Sequence, residues 1–207
     1  GPNTGGMGTY SPSLVFTPEL EKQIRETILE PTLKGFQKDG LDFRGVLFIG
    51  LMISEDGPKV IEFNNRFGDP ETQSVLPRLE SDLLDIFVAV TENRIADIEI
   101  KWSDEKAVCV VAASGGYPGS YEKGKVISGL DDVDDDVIVF HAGTAAKDAG
   151  DADSAGTVIV TSGGRVLGVT ALGKTHEEAR AKAYDNIRRI SFDGMQYRKD
   201  IGTINRR

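Results

Sequence analysis

Val60-Ile-Glu-Phe-Asn-Asn-Arg-Phe-Gly-Asp-Pro-Glu-Thr-Gln73 is the stretch on which the reading of this chain turns. It reads as a strand that delivers polar ligands and then runs into a helix. Successive strand side chains alternate between faces. Ile61 and Phe63 therefore share one face and Glu62 and Asn64 the other. Mg²⁺ takes few protein oxygens and leaves its other positions to water and phosphates, a division that Glu62 and Asn64 fit. Arg66 follows on the same parity, where a guanidinium can hold a carboxylate or phosphate through two parallel bonds. On this reading Asp69 caps the helix with Pro70 at its first position, and Gly68 permits the tight turn. A polar face on an ordinary amphipathic strand accounts for Glu62 and Asn64 alone. It does not account for Glu-x-Asn-x-Arg followed at once by Gly-Asp-Pro-Glu-Thr-Gln.

The 207 residues suffice for one large domain or two small ones. A net charge of -9 argues against non-specific nucleic-acid binding, but leaves room for small anionic substrates. There is no apolar run of membrane-spanning length and no signal-peptide pattern. Cys109 is the only cysteine, so no internal disulfide forms, and a cytoplasmic setting is expected. The chain opens without Met on a glycine loop and reads as a piece of something longer.

That loop, residues 1–12, brings Asn3, Thr4, Gly5, Gly6 and Gly8 together; its spacing matches neither the P-loop nor the dinucleotide fingerprint. Thr17 caps a helix carrying Leu20, Ile24 and Ile28, which Pro31 should kink or end. Residues 45–53 read as a strand covered on both faces. Asp56-Gly57 turns it into the antiparallel ligand strand. Beyond Asp69, Val75, Leu76 and Leu79 mark a helix bent at Pro77. Ser81 is expected to cap another, with Leu83, Leu84, Phe87 and Val88 buried.

A boundary is placed within the thin connector 93–102. Strands are then expected at 107–113, 125–130, 137–140, 157–160 and 165–172, the last two joined by a hairpin turn at Ser162–Gly164. Residues 145–155 read as loop, and the acidic run 131–136 as a solvated loop rather than a Ca²⁺ site. Thr175-His-Glu-Glu178 is a capping box opening a helix with Ala179, Ala183, Ile187 and Ile190 on one face. Cys109 reads as a small buried hydrophobe and His176 as a surface residue. With His141 distant, a zinc site is not expected.

Gly1-Pro-Asn-Thr-Gly-Gly-Met-Gly8 with Tyr10-Ser-Pro12, Arg44 to Met52 and Val60 to Gln73 resemble the loop and metal strands of the phosphoribosylamine–glycine ligase (glycinamide ribonucleotide synthetase) family, within the ATP-grasp superfamily. Ala112 to Gly119, Phe140 to Thr144 and Tyr197 to Gly202 resemble its small carboxy-terminal domain. The resemblance covers essentially the whole chain and implies an α+β fold. Residues 1–98 would form the carboxy-terminal lobe of an ATP-grasp domain, an antiparallel sheet with helices. Residues 99–207 would form a small β-rich domain. It also implies ATP-dependent ligation of glycine to 5-phosphoribosylamine through a glycyl phosphate, a step of purine synthesis.

On the same resemblance, Glu62 and Asn64 hold Mg²⁺ or Mn²⁺ and Arg66 stabilises the glycyl phosphate. Asn3, Gly5, Gly6 and Asp69 line the substrate side, with Arg66 and Asp69 as the catalytic pair. Family members are longer, and the part expected before Gly1 carries the lobe that closes over ATP. The 207 residues alone are therefore expected to be inactive. Asn65 departs from the small residue expected there, on the parity opposite the metal ligands. Two other readings remain open: a different ATP-grasp ligase or carboxylase of the purine pathway, and a non-catalytic binding module. The first lacks the long Phe67–Gln73 run and the glycine loop. The second shows no Mg²⁺-dependent nucleotide affinity.

Overall fold

The computed structural model describes residues 1–148 and 156–203. Among them the strands are β1 (Gly8–Ser11), β2 (Phe48–Ser54), β3 (Gly57–Asn64), β4 (Lys106–Ala113), β5 (Val137–His141), β6 (Thr144–Asp148), β7 (Thr157–Thr161) and β8 (Arg165–Gly173). The helices are α1 (Pro18–Ile24), α2 (Glu30–Lys38), α3 (Thr72–Val75), α4 (Leu83–Thr91) and α5 (His176–Ile187). Every described strand pair is antiparallel, and the class is α+β. The chain forms two units, each drawn from separated stretches. One comprises Gly1–Ser11, Asp69–Arg78 and Asp104–Arg207; the other comprises Pro12–Gly68 and Leu79–Ser103.

The first unit is built on a four-stranded sheet in the order β1-β4-β8-β5. The run of small and β-branched residues in β4 suits a strand enclosed on both faces, and Ala107 through Ala113 are all buried. Val108, Val110 and Ala112 meet Ala179, Ala183 and Ile187 of α5 in one core. The two alanines let the helix sit close: a Cβ on Gly173 would stand 2.6 Å from the Ala179 nitrogen. Thr175 and Glu178 close the capping box as expected. Cys109 lies on the other parity, where a Cβ on Gly168 would meet its sulfur at 3.2 Å and the Gln73 Cγ of α3 at 3.8 Å.

Several expectations for this unit change. The glycine loop does not stay irregular: Gly8–Ser11 become an edge strand on β4. Residues 145–148, read as loop, join Thr144 in β6 and capture β7, so Ser162–Gly164 passes between sheets and is not a β7–β8 hairpin. The rest of that expected loop, 149–155, lies outside the described residues. Residues 125–130 make only isolated bridges, Val126 to Val160 and Ser128 to Ser191. His176 is buried, not superficial, because its ring packs edge-on against Tyr10 with centroids 5.6 Å apart. Burial, with Lys106 and Arg78 nearby, holds its pKa below the ordinary value despite Glu177.

The second unit carries the β2–β3 hairpin, turning at Gly57 as read from Asp56-Gly57. Pro31 does not end its helix. A π-helical turn at Arg25–Leu29 lets the Glu30 N–H reach the Arg25 carbonyl, and the helix resumes with Pro31 near the start of α2. β2 is not covered on both faces: it pairs only with β3 among the described strands, and Met52 and Ile53 stay exposed. Asp82, not Ser81, caps α4, accepting from the Leu84 and Asp85 N–H groups. Ser81 is instead engaged by Lys101 N–H, which donates to its hydroxyl. Of the side chains expected to be buried there, Leu84, Phe87 and Val88 are exposed and Leu83 is half-buried; the buried residue is Ala89, which was not among them.

Candidate functional site

The predicted residues fall into two clusters, one in each unit. In the hairpin, Glu62 pairs with Gly50 and Asn64 with Phe48. The register slips between Gly50 and Leu51, leaving Ile61 as the extra residue, so the bulge ends before the ligand pair. Glu62 and Asn64 thus keep one face. Gly50 makes room for the carboxylate stem, since a Cβ there would stand 3.1 Å from Glu62 Cγ. The strand ends at Asn64, so Arg66 does not continue its parity. Its guanidinium folds back instead, donating to Asn64 Oδ1 at 3.2 Å and to the Phe67 carbonyl at 2.8 Å. The cation still lies beside the ligand pair, by a bend rather than by alternation.

This donor set suits a hard divalent cation that shares its shell with phosphates. No group of three His, Cys, Asp or Glu side chains forms a metal cage among the described residues. One carboxylate and one amide oxygen on a single face leave most coordination positions to ligand oxygens. The Asn64 Oδ1 accepts from Arg66, while its Nδ2 is buried without a partner, a donor suited to a phosphate oxygen beside the cation. The residues fit the group.

The second cluster gathers the glycine loop and the Asp69 turn. Arg165, at the start of β8, donates from Nη1 to the Asp69 carbonyl at 3.0 Å and the Gly6 carbonyl at 3.3 Å. Its Nη2 reaches Asp69 Oδ2 at 2.8 Å. Gln73 Nε2 donates to Asp69 Oδ1 at 3.0 Å, leaving Gln73 Oε1 buried and unpartnered. Asp69 therefore does not cap the following helix, which starts at Thr72 after Glu71; its carboxylate is taken by Arg165 and Gln73.

The Gly5 N–H donates to the Tyr117 hydroxyl at 3.1 Å, and Thr9 Oγ1 donates to the Pro70 carbonyl at 2.9 Å. Gly6 is needed for contact: a Cβ there would lie 2.3 Å from Pro70 Cδ. Asn3 is exposed at the open end of the loop. Cys109 is no nucleophile for this cluster. Burial, aided by the Asp69 charge and opposed by a Thr170 hydrogen bond, pushes its thiol up to about 11.

Sequence reasoning gave Glu62 and Asn64 to the metal, Asn3, Gly5, Gly6 and Asp69 to the substrate side, and Arg66 with Asp69 to catalysis. The structure gathers Gly5, Gly6 and Asp69 in the first unit, leaves Asn3 exposed, and groups Glu62, Asn64 and Arg66 in the second. It missed Arg165 and Tyr117. The signal for both was slight: each stands beside a glycine pair, Ser162-Gly-Gly164 and Gly115-Gly116. That marks a close backbone approach without saying to what.

Comparison with known proteins bears on both clusters. Residues 1–72 match the model of the phosphoribosylglycinamide synthetase ATP-grasp (A) domain, and residues 107–204 match that of the phosphoribosylglycinamide synthetase C domain. A phosphoribosylamine–glycine ligase of Caldanaerobacter subterraneus is 50% identical over 201 residues, covering 97% of this chain and 46% of that protein. A chloroplastic phosphoribosylamine–glycine ligase of Arabidopsis thaliana is 50% identical over 207 residues, covering 98% of this chain and 38% of its own. The crystal structure of the Thermotoga maritima phosphoribosylamine–glycine ligase superposes with a TM-score of 0.80 at 36% identity, covering 97% of this chain and 47% of the other. The chain thus spans about half the length, or less, of the curated relatives it matches. With both of its domain models matched in order, the chain belongs to the phosphoribosylglycinamide synthetase family, an ATP-grasp family.

Proposed function

We propose that this chain supplies the metal-binding strand and part of the substrate site of a ligase that joins glycine to 5-phosphoribosylamine. The reaction consumes ATP and yields glycinamide ribonucleotide, ADP and phosphate through a glycyl phosphate. The observation that carries this reading is the Glu62–Asn64 pair on one face with the Arg66 guanidinium 3.2 Å from Asn64 Oδ1. Glu62 and Asn64 hold Mg²⁺ or Mn²⁺, which when bound neutralises phosphate charge and orients the nucleotide. Arg66 gives its guanidinium to the acyl phosphate, where fixed positive charge favours the transition state. Asn3, Gly5, Gly6 and Asp69 line the side that takes glycine and the amine. Asp69 keeps accepting capacity for an amine N–H, because its side chain is 53% exposed despite two bonds.

We assign residues 1–98 to the ATP-grasp domain and 99–207 to the small carboxy-terminal domain. The family matches, ending at 72 and beginning at 107, bracket that junction. The 207 residues alone are proposed to lack turnover, since relatives matched over nearly all of this chain are about twice as long. No described helix is long and apolar enough to cross a membrane. We place the activity in the cytoplasm, whereas the Arabidopsis relative is named chloroplastic.

The test is ribosylamine-dependent ADP release by the full-length protein with Glu62→Ala beside it. Loss of about 10²-fold or more in kcat is expected for removal of a group that neutralises phosphoryl charge. Wild-type turnover in Glu62→Ala would overturn the metal assignment.

A further inference from the structure

We infer that Arg165 and Tyr117 are positioning residues that set the shape of the glycine loop, acting through Gly5, Gly6 and Asp69. The inference rests on the substrate-side role proposed above for those three residues, and it deepens that reading. Arg165 begins β8, where it pairs with Ala113 of β4 beyond a register shift and its carbonyl accepts the Gly143 N–H, so its backbone is held on both sides. Its planar fork spans two segments far apart in the chain, the Gly6 carbonyl on one and the carbonyl and carboxylate of Asp69 on the other. Two of the three acceptors are main-chain oxygens. The guanidinium therefore orients peptide planes as well as balancing a charge, and its side chain is only 24% exposed.

Tyr117 completes the hold from the opposite polarity. Its hydroxyl accepts the Gly5 N–H, one residue before the carbonyl that Arg165 grips. Two peptide groups of the loop, Thr4–Gly5 and Gly6–Met7, are thus pinned, one by its donor and the other by its acceptor. The glycines are what allow this closeness. A Cβ on Gly5 would stand 3.1 Å from both Arg165 Cζ and the Tyr117 hydroxyl. One on Gly164 would drive into the Tyr117 ring at 2.3 Å. Lysine cannot replace the fork, because a single ammonium on a flexible stem cannot hold a carboxylate and two carbonyls in fixed directions.

The experiment compares Arg165→Met, Arg165→Lys and Tyr117→Phe in the full-length protein, with Arg180→Met as a control. Arg180 also donates to two main-chain carbonyls of the same unit, those of Lys199 and Ile201, but has no part in the site. Arg165→Met is expected to raise the KM for the phosphorylated amine about tenfold or more, the effect of losing charge-assisted bonds. The KM for ATP should stay within about twofold, and Arg165→Lys should recover part of the loss. Tyr117→Phe should raise the amine KM by a smaller factor, about threefold, for one neutral bond.

Amide hydrogen exchange gives a readout independent of turnover: residues 3–7 should lose protection in Arg165→Met while β4 keeps its own. Unchanged amine KM and unchanged loop exchange would overturn the inference. So would a uniform loss of activity and melting temperature like that of Arg180→Met. An inactive wild-type protein would sink the ligase reading instead, and loop exchange would still decide the positioning role.

Discussion

Gly6→Ala adds one methyl group where the structure has least room. The new Cβ would stand 2.3 Å from Pro70 Cδ and 3.1 Å from Pro70 Cγ. Comfortable carbon contacts begin at about 3.5 Å, so one side must retreat by more than about 1 Å. Neither side yields easily. Pro70 is buried and its carbonyl accepts from Thr9, while the Gly6 carbonyl is held by Arg165. Overpacking of this kind costs about 1–3 kcal/mol. The stiffer alanine chain returns roughly 0.4–1 kcal/mol by narrowing the unfolded ensemble, since no left-handed conformation opposes it here. The net expectation, from the middle of each range, is a loss of about 1.3 kcal/mol. Urea unfolding followed by far-ultraviolet circular dichroism measures it as a lower midpoint at unchanged slope. A variant as stable as the parent, or more so, would show that the loop does not seat on Pro70 as described.

Gly35→Ala is the opposite case. Gly35 lies inside α2 with nothing within 4 Å of an added Cβ, so the same titration should show a gain of about 0.5–1 kcal/mol. Thr175→Ala removes the hydroxyl that accepts the Glu178 N–H and should cost about 1 kcal/mol; a double-mutant cycle with Glu178→Ala should show coupling. Cys109 should resist iodoacetamide at pH 8 until the protein is unfolded. Its raised pKa means the unfolded thiol ionises first, so stability should fall as pH rises from the ordinary value of 9.0 toward about 11. The Cys109 share of that slope, up to roughly 3 kcal/mol, should be missing in Cys109→Ala, leaving the part from Tyr184, whose pKa burial also raises.

What was legible in the sequence was local. The Asp56-Gly57 turn fixed the hairpin. The alternation of Glu62 and Asn64 fixed their common face, and the Thr175–Glu178 box fixed a helix start. These features are written within a few residues of one another. What failed depended on partners that local pattern does not name. Ser81 and Asp82 are both good caps, and a distant Lys101 amide engaged the first. His176 looked superficial until β1 brought Tyr10 against it. Residues 145–148 carry a polar, small-residue pattern yet become part of a strand because the edge of β7 is there to pair with. Arg165 meets Asp69 across 96 residues, a relation invisible to any window along the chain.

The edge strand Gly8–Ser11 has a temporal consequence. Its partner positions on β4 run from Val110 back to Ala107, so a ribosome must make some hundred further residues before the pairing can start. Closing a loop of that length is entropically costly before any contact rewards it, and contacts so remote in sequence slow the search for the native state. Residues 8–11, made long before their partners, are therefore among the last to settle. During that interval the glycine-rich stretch and its short strand wait unpaired, with an open hydrogen-bonding edge. A chaperone or nearby nascent segment that shields residues 1–11 would then matter more to yield than any added stability in the finished sheet.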